Sequence, residues 1–223
     1  MFEWTKKLNA RIAALPFFPA AAAIHKSHGQ KILSFLCLFP LFGLTAGGMT
    51  GALGPEPWLR AVQETGEAAL SMLLLCLSIT PLMQALSWNF LYPWRRTFGL
   101  FAFFYAVLHA FARMVLLGFD WESIAGGIFT TPFLLAGFLA LMLLIPLAVT
   151  SSKKMMVRLG RRWKLLHRLV YVIAILGVAH ALMSGKVGYI NYAPQAVLLA
   201  ALLGWRLAYP FLAHRQAMQK TQG

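Results

Sequence analysis

Six long apolar stretches, separated by short polar segments, run through the chain from residue 32 onwards. Each is about 20 residues long, which is the length at which an α-helix crosses the hydrocarbon core of a bilayer. The connections contain helix breakers, as in "LGPEP" after the first stretch and "NYAP" before the sixth. The pattern predicts six transmembrane helices, over residues 32–53, 67–87, 98–118, 131–150, 166–184 and 194–212.

The composition agrees with an integral membrane protein. Of the 223 residues, 60% are hydrophobic and 12% are charged, whereas soluble domains have roughly 25% charged residues. We therefore predict an all-α fold, a six-helix transmembrane bundle in contact with lipid. Residues 1–30 form a cytoplasmic or interfacial segment in this interpretation, residues 31–212 form the bundle, and residues 213–223 form a short cytoplasmic tail.

The charged residues predict the orientation of the bundle. All but three of the 20 Lys and Arg residues fall on one side of the predicted spans, the exceptions being Arg60, Arg113 and Lys186. By the positive-inside rule that side is cytoplasmic, and so are both termini. Because topology explains the formal charge of +14, we expect no nucleic-acid partner. Five of the six acidic residues lie towards the opposite side: Glu56, Glu64, Glu67, Asp120 and Glu122.

Three histidines lie within the predicted spans. His109 is in the third span, His167 opens the fifth, and His180 is near its outer end. Ionisable residues inside a membrane are costly and usually face a site or a cavity. A membrane histidine can simply bridge two helices, and a proton relay would need carboxylates at membrane depth, of which the chain has essentially none. Axial ligation of haem b needs only neutral imidazoles in an apolar pocket, and this interpretation fits best.

Depth in the membrane predicts which histidines pair. The third and fifth spans run in the same direction, and His109 and His180 lie 11 and 14 residues from their predicted starts. At 1.5 Å per residue their depths differ by about 5 Å, so we predict that these two residues ligate one haem. His167 lies about 20 Å from His180 along the helix axis and is the candidate ligand of a second, cytoplasmic-side haem.

The second haem site is incomplete in the sequence. The positions 13 and 14 residues before His109, at the depth of His167, are Arg96 and Arg95, and a guanidinium has no acceptor nitrogen with which to ligate iron. In a straight helix, moreover, 13 residues rotate by about 220°, so His167 and His180 would not point the same way. A local widening at Gly177 is one way to change that angle.

Three segments carry a family resemblance: "LGRRWKLLHRLVYVIAILGVAH", "RRTFGLFAFFYAVLH" and "LGPEPWLRAVQETGEAALSMLLLCLSITPL". They resemble the MsrQ family, also called YedZ, within the ferric-reductase-like transmembrane group. The resemblance implies a multi-pass cytochrome b of the bacterial inner membrane. It implies electron transfer to a periplasmic molybdopterin-containing methionine sulfoxide reductase, the chain itself being the electron-transfer subunit and not the catalytic one. The implied donors are a cytoplasmic flavin reductase, a bound flavin (FMN) or the quinone pool.

The chain departs from the larger NADPH oxidases of this group, which have two histidines on each ligand helix and a cytoplasmic dehydrogenase domain. Here the third span has one histidine, and about eleven residues follow the last span, so we expect electrons to come from another protein or from quinol. Arg113, one turn beyond His109, could pair with a haem propionate or extend to the outer headgroups.

Two alternatives stay open from the sequence. One is a quinol-oxidising cytochrome b subunit of another respiratory complex. The other is a membrane transporter or assembly factor without redox activity, in which the histidines only bridge helices. An absorption spectrum separates the second alternative from the haem interpretation, because a protein without haem has no Soret band.

Overall fold

The computed structural model describes residues 29–184 and 188–221, and the regular elements within these ranges are all helical. Most of the predicted N-terminal segment, residues 1–28, lies outside the described residues. The helices are α1 (Gly29–Cys37), α2 (Phe39–Thr50), α3 (Pro57–Leu86), α4 (Trp94–Leu116), α5 (Trp121–Thr130), α6 (Pro132–Val149), α7 (Lys153–Leu159), α8 (Arg161–Leu166), α9 (Leu169–Met183) and α10 (Gly188–Thr221), with a 3₁₀ turn at Asn89–Leu91.

Six stretches of the described residues are long and apolar enough to cross a membrane, which confirms the predicted six-helix bundle. They are Gly29–Thr50, Pro57–Leu86, Asn89–Leu116, Pro132–Val149, Arg161–Met183 and Ile190–Leu212. The second begins ten residues before its predicted start, because Pro57 supplies a preorganised first turn. Arg60 and Glu64 on the next two turns form an ion pair of 3.3 Å, so the polar residues before the apolar stretch are helical too.

The first span is interrupted at Leu38, between α1 and α2. Pro40 in the first turn of α2 has no N–H and cannot continue the hydrogen-bond ladder of α1. The Tyr105 hydroxyl donates to the carbonyl of Cys37 at this break, over 2.7 Å. Since Tyr105 is only 1% exposed, this bond joins the interrupted first span to the interior of α4.

The fifth span is interrupted at its first histidine. α8 ends before His167 and α9 begins at Leu169. Across the junction the backbone N–H of Arg168 donates to Leu165 and that of Tyr171 donates to Arg168, which is the tighter 3₁₀ pattern. α9 continues without interruption through Gly177. The interruption therefore lies beside His167, and the helix shows no widening at Gly177.

Two helices that lie between the spans, α5 and α7, were not predicted. The segment between the third and fourth spans forms α5, which begins after Asp120. The Asp120 carboxylate accepts hydrogen bonds from the Ser123 hydroxyl and the Glu122 backbone N–H, and these bonds, that of Ser123 first, hold its pKa below the usual range. An N-terminal cap of this kind stabilises a helix despite the two glycines that follow.

The core lies between α3, α4, α6, α9 and α10, where α3 packs along α4 and α6 packs along α9. Its most buried positions include the small residues Ala102 on α4 and Ala174 on α9, and the larger Leu77 on α3, each at most 1% exposed. Small residues at the contacts allow the helix backbones to approach closely, as in other membrane bundles.

Arg206 connects α10 to this core through two hydrogen bonds. Arg206 lies inside the sixth span, Ile190–Leu212, as it does in the predicted span 194–212. Its Nη2 donates to the carbonyl of Leu77 over 2.8 Å, and its Nη1 donates to the Tyr171 hydroxyl over 2.6 Å. In a regular helix Leu77 would accept from residue 81, which is proline and has no N–H. Arg206 therefore satisfies a carbonyl that Pro81 leaves without a partner.

Candidate functional site

His109 on α4 and His180 on α9 face each other inside the bundle. Their ring centres are 5.8 Å apart and their planes are nearly perpendicular, at 83°. The two residues therefore lie at the same depth, as their positions along parallel spans predict. Each side chain is part-buried, and the rings belong to two different pairs of packed helices.

Each imidazole is anchored through the same nitrogen. The Nδ1 of His109 lies 2.8 Å from the carbonyl oxygen of Val62 on α3, and the Nδ1 of His180 lies 2.7 Å from that of Phe133 on α6. A carbonyl oxygen only accepts, so both rings carry their proton on Nδ1. The Nε2 atoms are left with lone pairs, and a histidine held in this way is oriented to bind a metal through Nε2.

Each ring also lies against a glycine on the helix that anchors it. A Cβ added at Gly66 would come within 2.8 Å of the Nδ1 of His109, and one added at Gly137 would come within 2.8 Å of the Nδ1 of His180. Both glycines stand one helical turn after the carbonyl that accepts the hydrogen bond. The hydropathy pattern does not single out either glycine.

The histidine, the carbonyl that binds it and the glycine beside it form a set that occurs twice in the chain, as an internal repeat. Phe133, Gly137 and His180 each follow Val62, Gly66 and His109 by 71 residues, and each carbonyl is 47 residues from its histidine. The helix pair α3 and α4 supplies one histidine and the pair α6 and α9 supplies the other. This fixed spacing is a signal that sequence reasoning could have used.

The pair fits an iron bound from two opposite sides. Two metal–nitrogen bonds of about 2 Å, with about 1 Å more to each ring centre, place the centres of two axial imidazoles about 6 Å apart. No group of three or more His, Cys, Asp or Glu side chains that could hold a metal ion occurs in residues 29–184 and 188–221. The protein thus offers this site two ligands, which suits a haem, whose porphyrin supplies four.

His167 lies apart from this pair, at the junction of α8 and α9. Its ring stacks on Trp163 with centres 4.0 Å apart, and its Nδ1 lies 3.1 Å from the Trp163 carbonyl oxygen. Its Nε2 is buried and has no hydrogen-bond partner. The residue that precedes His167 by the same 71 positions is Arg96, which is exposed. The internal repeat therefore supplies no second histidine at this depth.

Arg113 lies one turn beyond His109, in the last turn of α4. Its Nε is buried and has no hydrogen-bond partner. A partly buried guanidinium with an unused donor is suited to an anionic oxygen of a group bound between the histidines.

Comparison with known proteins places these features in a family. The family model described as "Ferric reductase like transmembrane component" matches residues 65–178. A Caulobacter vibrioides protein is 42% identical over 77% of this chain and 82% of its own length. A Polaromonas naphthalenivorans protein is 38% identical over 80% and 83%, and one from Herminiimonas arsenicoxydans is 43% identical over 68% and 70%.

All three relatives bear the name protein-methionine-sulfoxide reductase heme-binding subunit MsrQ. No solved structure matches the chain. With a matching family model over half of its length, and relatives about 40% identical over most of it, the chain belongs to the MsrQ family of ferric-reductase-like transmembrane proteins.

Proposed function

We propose that this chain is a haem-binding electron-transfer subunit of a bacterial methionine sulfoxide reductase system. His109 and His180 hold one haem b between them through their Nε2 atoms. The observation that carries this proposal is the facing pair of imidazoles, 5.8 Å apart, with both Nδ1 atoms already used by backbone carbonyls. The names of the relatives, which describe heme-binding subunits, support the same cofactor.

A bound haem would supply reversible one-electron chemistry inside the bilayer. The hydrocarbon core is about 30 Å thick, too far for one tunnelling step, so a redox centre within the bundle is needed. The protein anchors the two ligands and offers Arg113 to a propionate. The acceptor in this proposal is a periplasmic molybdopterin-containing reductase, and the donor is a cytoplasmic flavin reductase, a bound flavin (FMN) or the quinone pool.

His167 is the candidate ligand of a second haem nearer the cytoplasm. The support for this role is its buried Nε2, which has no partner. Neither Arg95 nor Arg96 is an axial ligand in this proposal, because guanidinium nitrogens have no lone pair to give. The sixth ligand of such a haem is therefore not a histidine of α4.

The orientation of the bundle is testable with reporter fusions. Because the basic residues concentrate on one side, we expect a fusion after Phe119 and one after Gly188 to report a periplasmic location. A fusion after Met156 should report the cytoplasm. Alkaline phosphatase and green fluorescent protein fusions at the same three positions give opposite readouts and control for expression. The reverse pattern would overturn the topology and with it the direction of electron flow.

The role in the cell is testable with a deletion strain. We expect the periplasmic reductase of that strain to remain folded and active with an artificial electron donor, but to repair no methionine sulfoxide in cells. The intact gene should restore repair, while a His109→Ala variant that reaches the membrane in equal amount should not. Normal repair in the deletion strain, with no substitute donor present, would refute the proposed role.

Reduction of the haem by quinol at an unchanged rate without the flavin reductase would assign the donor to the quinone pool.

A further inference from the structure

The two glycines beside the histidines restrict how the imidazole rings can lie. A methyl group at Gly66 would be 2.8 Å from the Nδ1 and 3.0 Å from the Cε1 of His109. At Gly137 it would be 2.8 Å from the Nδ1 and 2.9 Å from the Cε1 of His180. These separations are shorter than van der Waals contact, so an alanine at either position would displace the ring.

Neither ring can move away freely. The Nδ1 atom nearest each glycine is also the atom that donates to a backbone carbonyl one turn earlier on the same helix. A ring that retreated from an added methyl group would lengthen this hydrogen bond and shift its Nε2. The carbonyl therefore fixes one edge of each imidazole, and close packing on the glycine backbone fixes its rotation.

We propose that Gly66 and Gly137 are positioning residues that hold the imidazole planes of His109 and His180 crossed as axial ligands of the haem. The inference rests on the proposed function, and adds to it two residues outside the ligand set. The crossing is the observed angle of 83° between the two rings. The same pairing of a backbone carbonyl and a glycine occurs in both halves of the internal repeat, so each half orients its own ligand.

Crossed ligand planes have a spectroscopic consequence. A low-spin ferric haem with perpendicular axial imidazoles gives a strongly anisotropic electron paramagnetic resonance signal at high g, whereas parallel planes give a rhombic signal at lower g. We expect the parent protein to give the strongly anisotropic signal from the haem between His109 and His180. Turning either ring should move this signal without changing the ligands.

The test uses Gly66→Ala and Gly137→Ala in the purified full-length protein. We expect either variant to shift the high-g signal or to lower haem affinity about tenfold or more, the usual effect of disturbing a residue that orients a metal ligand. Gly204→Ala and Gly99→Ala are matched controls, because a Cβ at Gly204 meets nothing within 4 Å and one at Gly99 makes an ordinary contact of 3.6 Å. Both controls should keep the parent signal and haem content.

Removing the ring tests the same contact in the absence of haem. In a His109→Ala background the space beside Gly66 is vacant, so Gly66→Ala should no longer lower the yield or the apparent melting temperature. In a His180→Ala background the His109 ring is still present, so Gly66→Ala should lower the yield and the apparent melting temperature as much as it does in the parent protein. This comparison holds even if Gly66→Ala alone does not fold, because the Gly66→Ala/His109→Ala double variant should then be recovered.

The outcomes separate the two proposals. If both glycine variants keep the parent signal and haem content while His109→Ala loses them, the glycines have no positioning role and the haem proposal stands. If Gly66→Ala lowered the yield and the apparent melting temperature equally in the His109→Ala and His180→Ala backgrounds, the positioning role would also be overturned. If His109→Ala and His180→Ala both retain the haem, the proposed function itself is wrong.

Discussion

Replacing His109 with alanine is expected to remove nearly all of one low-spin haem component, and replacing His180 is expected to remove the same component. The reason is that the two rings face each other across 5.8 Å on separate helices, so in the proposed site each would supply one of the two protein ligands of the haem iron. A haem left with one axial imidazole would be lost or become high-spin. The measurement is haem content with low-temperature absorption spectra of the purified single variants.

His167→Ala is the control for this pair. His167 lies at the start of the fifth span, stacked on Trp163, and its replacement should spare the component that the other two variants lose. At most it should remove a different component. If His167→Ala abolished the component lost in His109→Ala while His180→Ala left it intact, the pair would be His109 with His167. The facing geometry would then have no functional meaning.

Hydropathy predicts the spans well because burial in lipid demands long apolar helices. It cannot predict the interruptions within them, since these depend on where single backbone groups find partners. At the break before Phe39, the carbonyl of Cys37 accepts from the hydroxyl of Tyr105, which is 68 positions away in the chain. The break at His167 uses short-range 3₁₀ bonds that leave no mark on the hydrophobic pattern.

That His109 and His180 face each other is predictable from the positions of the spans alone. Two imidazoles at equal depth on parallel spans must lie near each other whatever the details of packing. Their orientation is not predictable in this way, because it depends on the carbonyls of Val62 and Phe133, and every residue has a carbonyl. Gly66 and Gly137 become informative only when both are compared with the histidines at the same spacing.

Arg206 illustrates how the contacts of a charged residue escape prediction from sequence. A basic residue near the predicted end of a span is ordinarily a topology signal, and its position 129 residues from Leu77 gives no indication of contact. In the structure its guanidinium also lies over the ring of Tyr171, 5.0 Å from the ring centre. The residue that explains this placement is Pro81, because a proline inside a membrane helix leaves a carbonyl that some other donor must satisfy.

Arg206→Met is therefore expected to destabilise the protein by about 1–3 kcal/mol, the cost of leaving a buried acceptor without its partner. Thermal unfolding in detergent should show a lower apparent melting temperature. Arg96→Met, which removes an exposed basic side chain, should change this temperature little.

Pro81→Ala provides the decisive comparison, because alanine restores the backbone N–H that Leu77 would accept in a regular helix. In the Pro81→Ala background the cost of Arg206→Met should fall to the part contributed by the Tyr171 hydroxyl, so the two substitutions should be strongly non-additive. If Arg206→Met costs the same in both backgrounds, Arg206 does not serve the carbonyl that Pro81 exposes. Its bond to Tyr171 would then account for its place inside the sixth span. A smaller destabilisation by Arg206→Met in the Pro81→Ala background would instead establish that Pro81 and Arg206 act together. Their shared contact, the carbonyl of Leu77, would then help to hold α10 against the helices that carry the histidines.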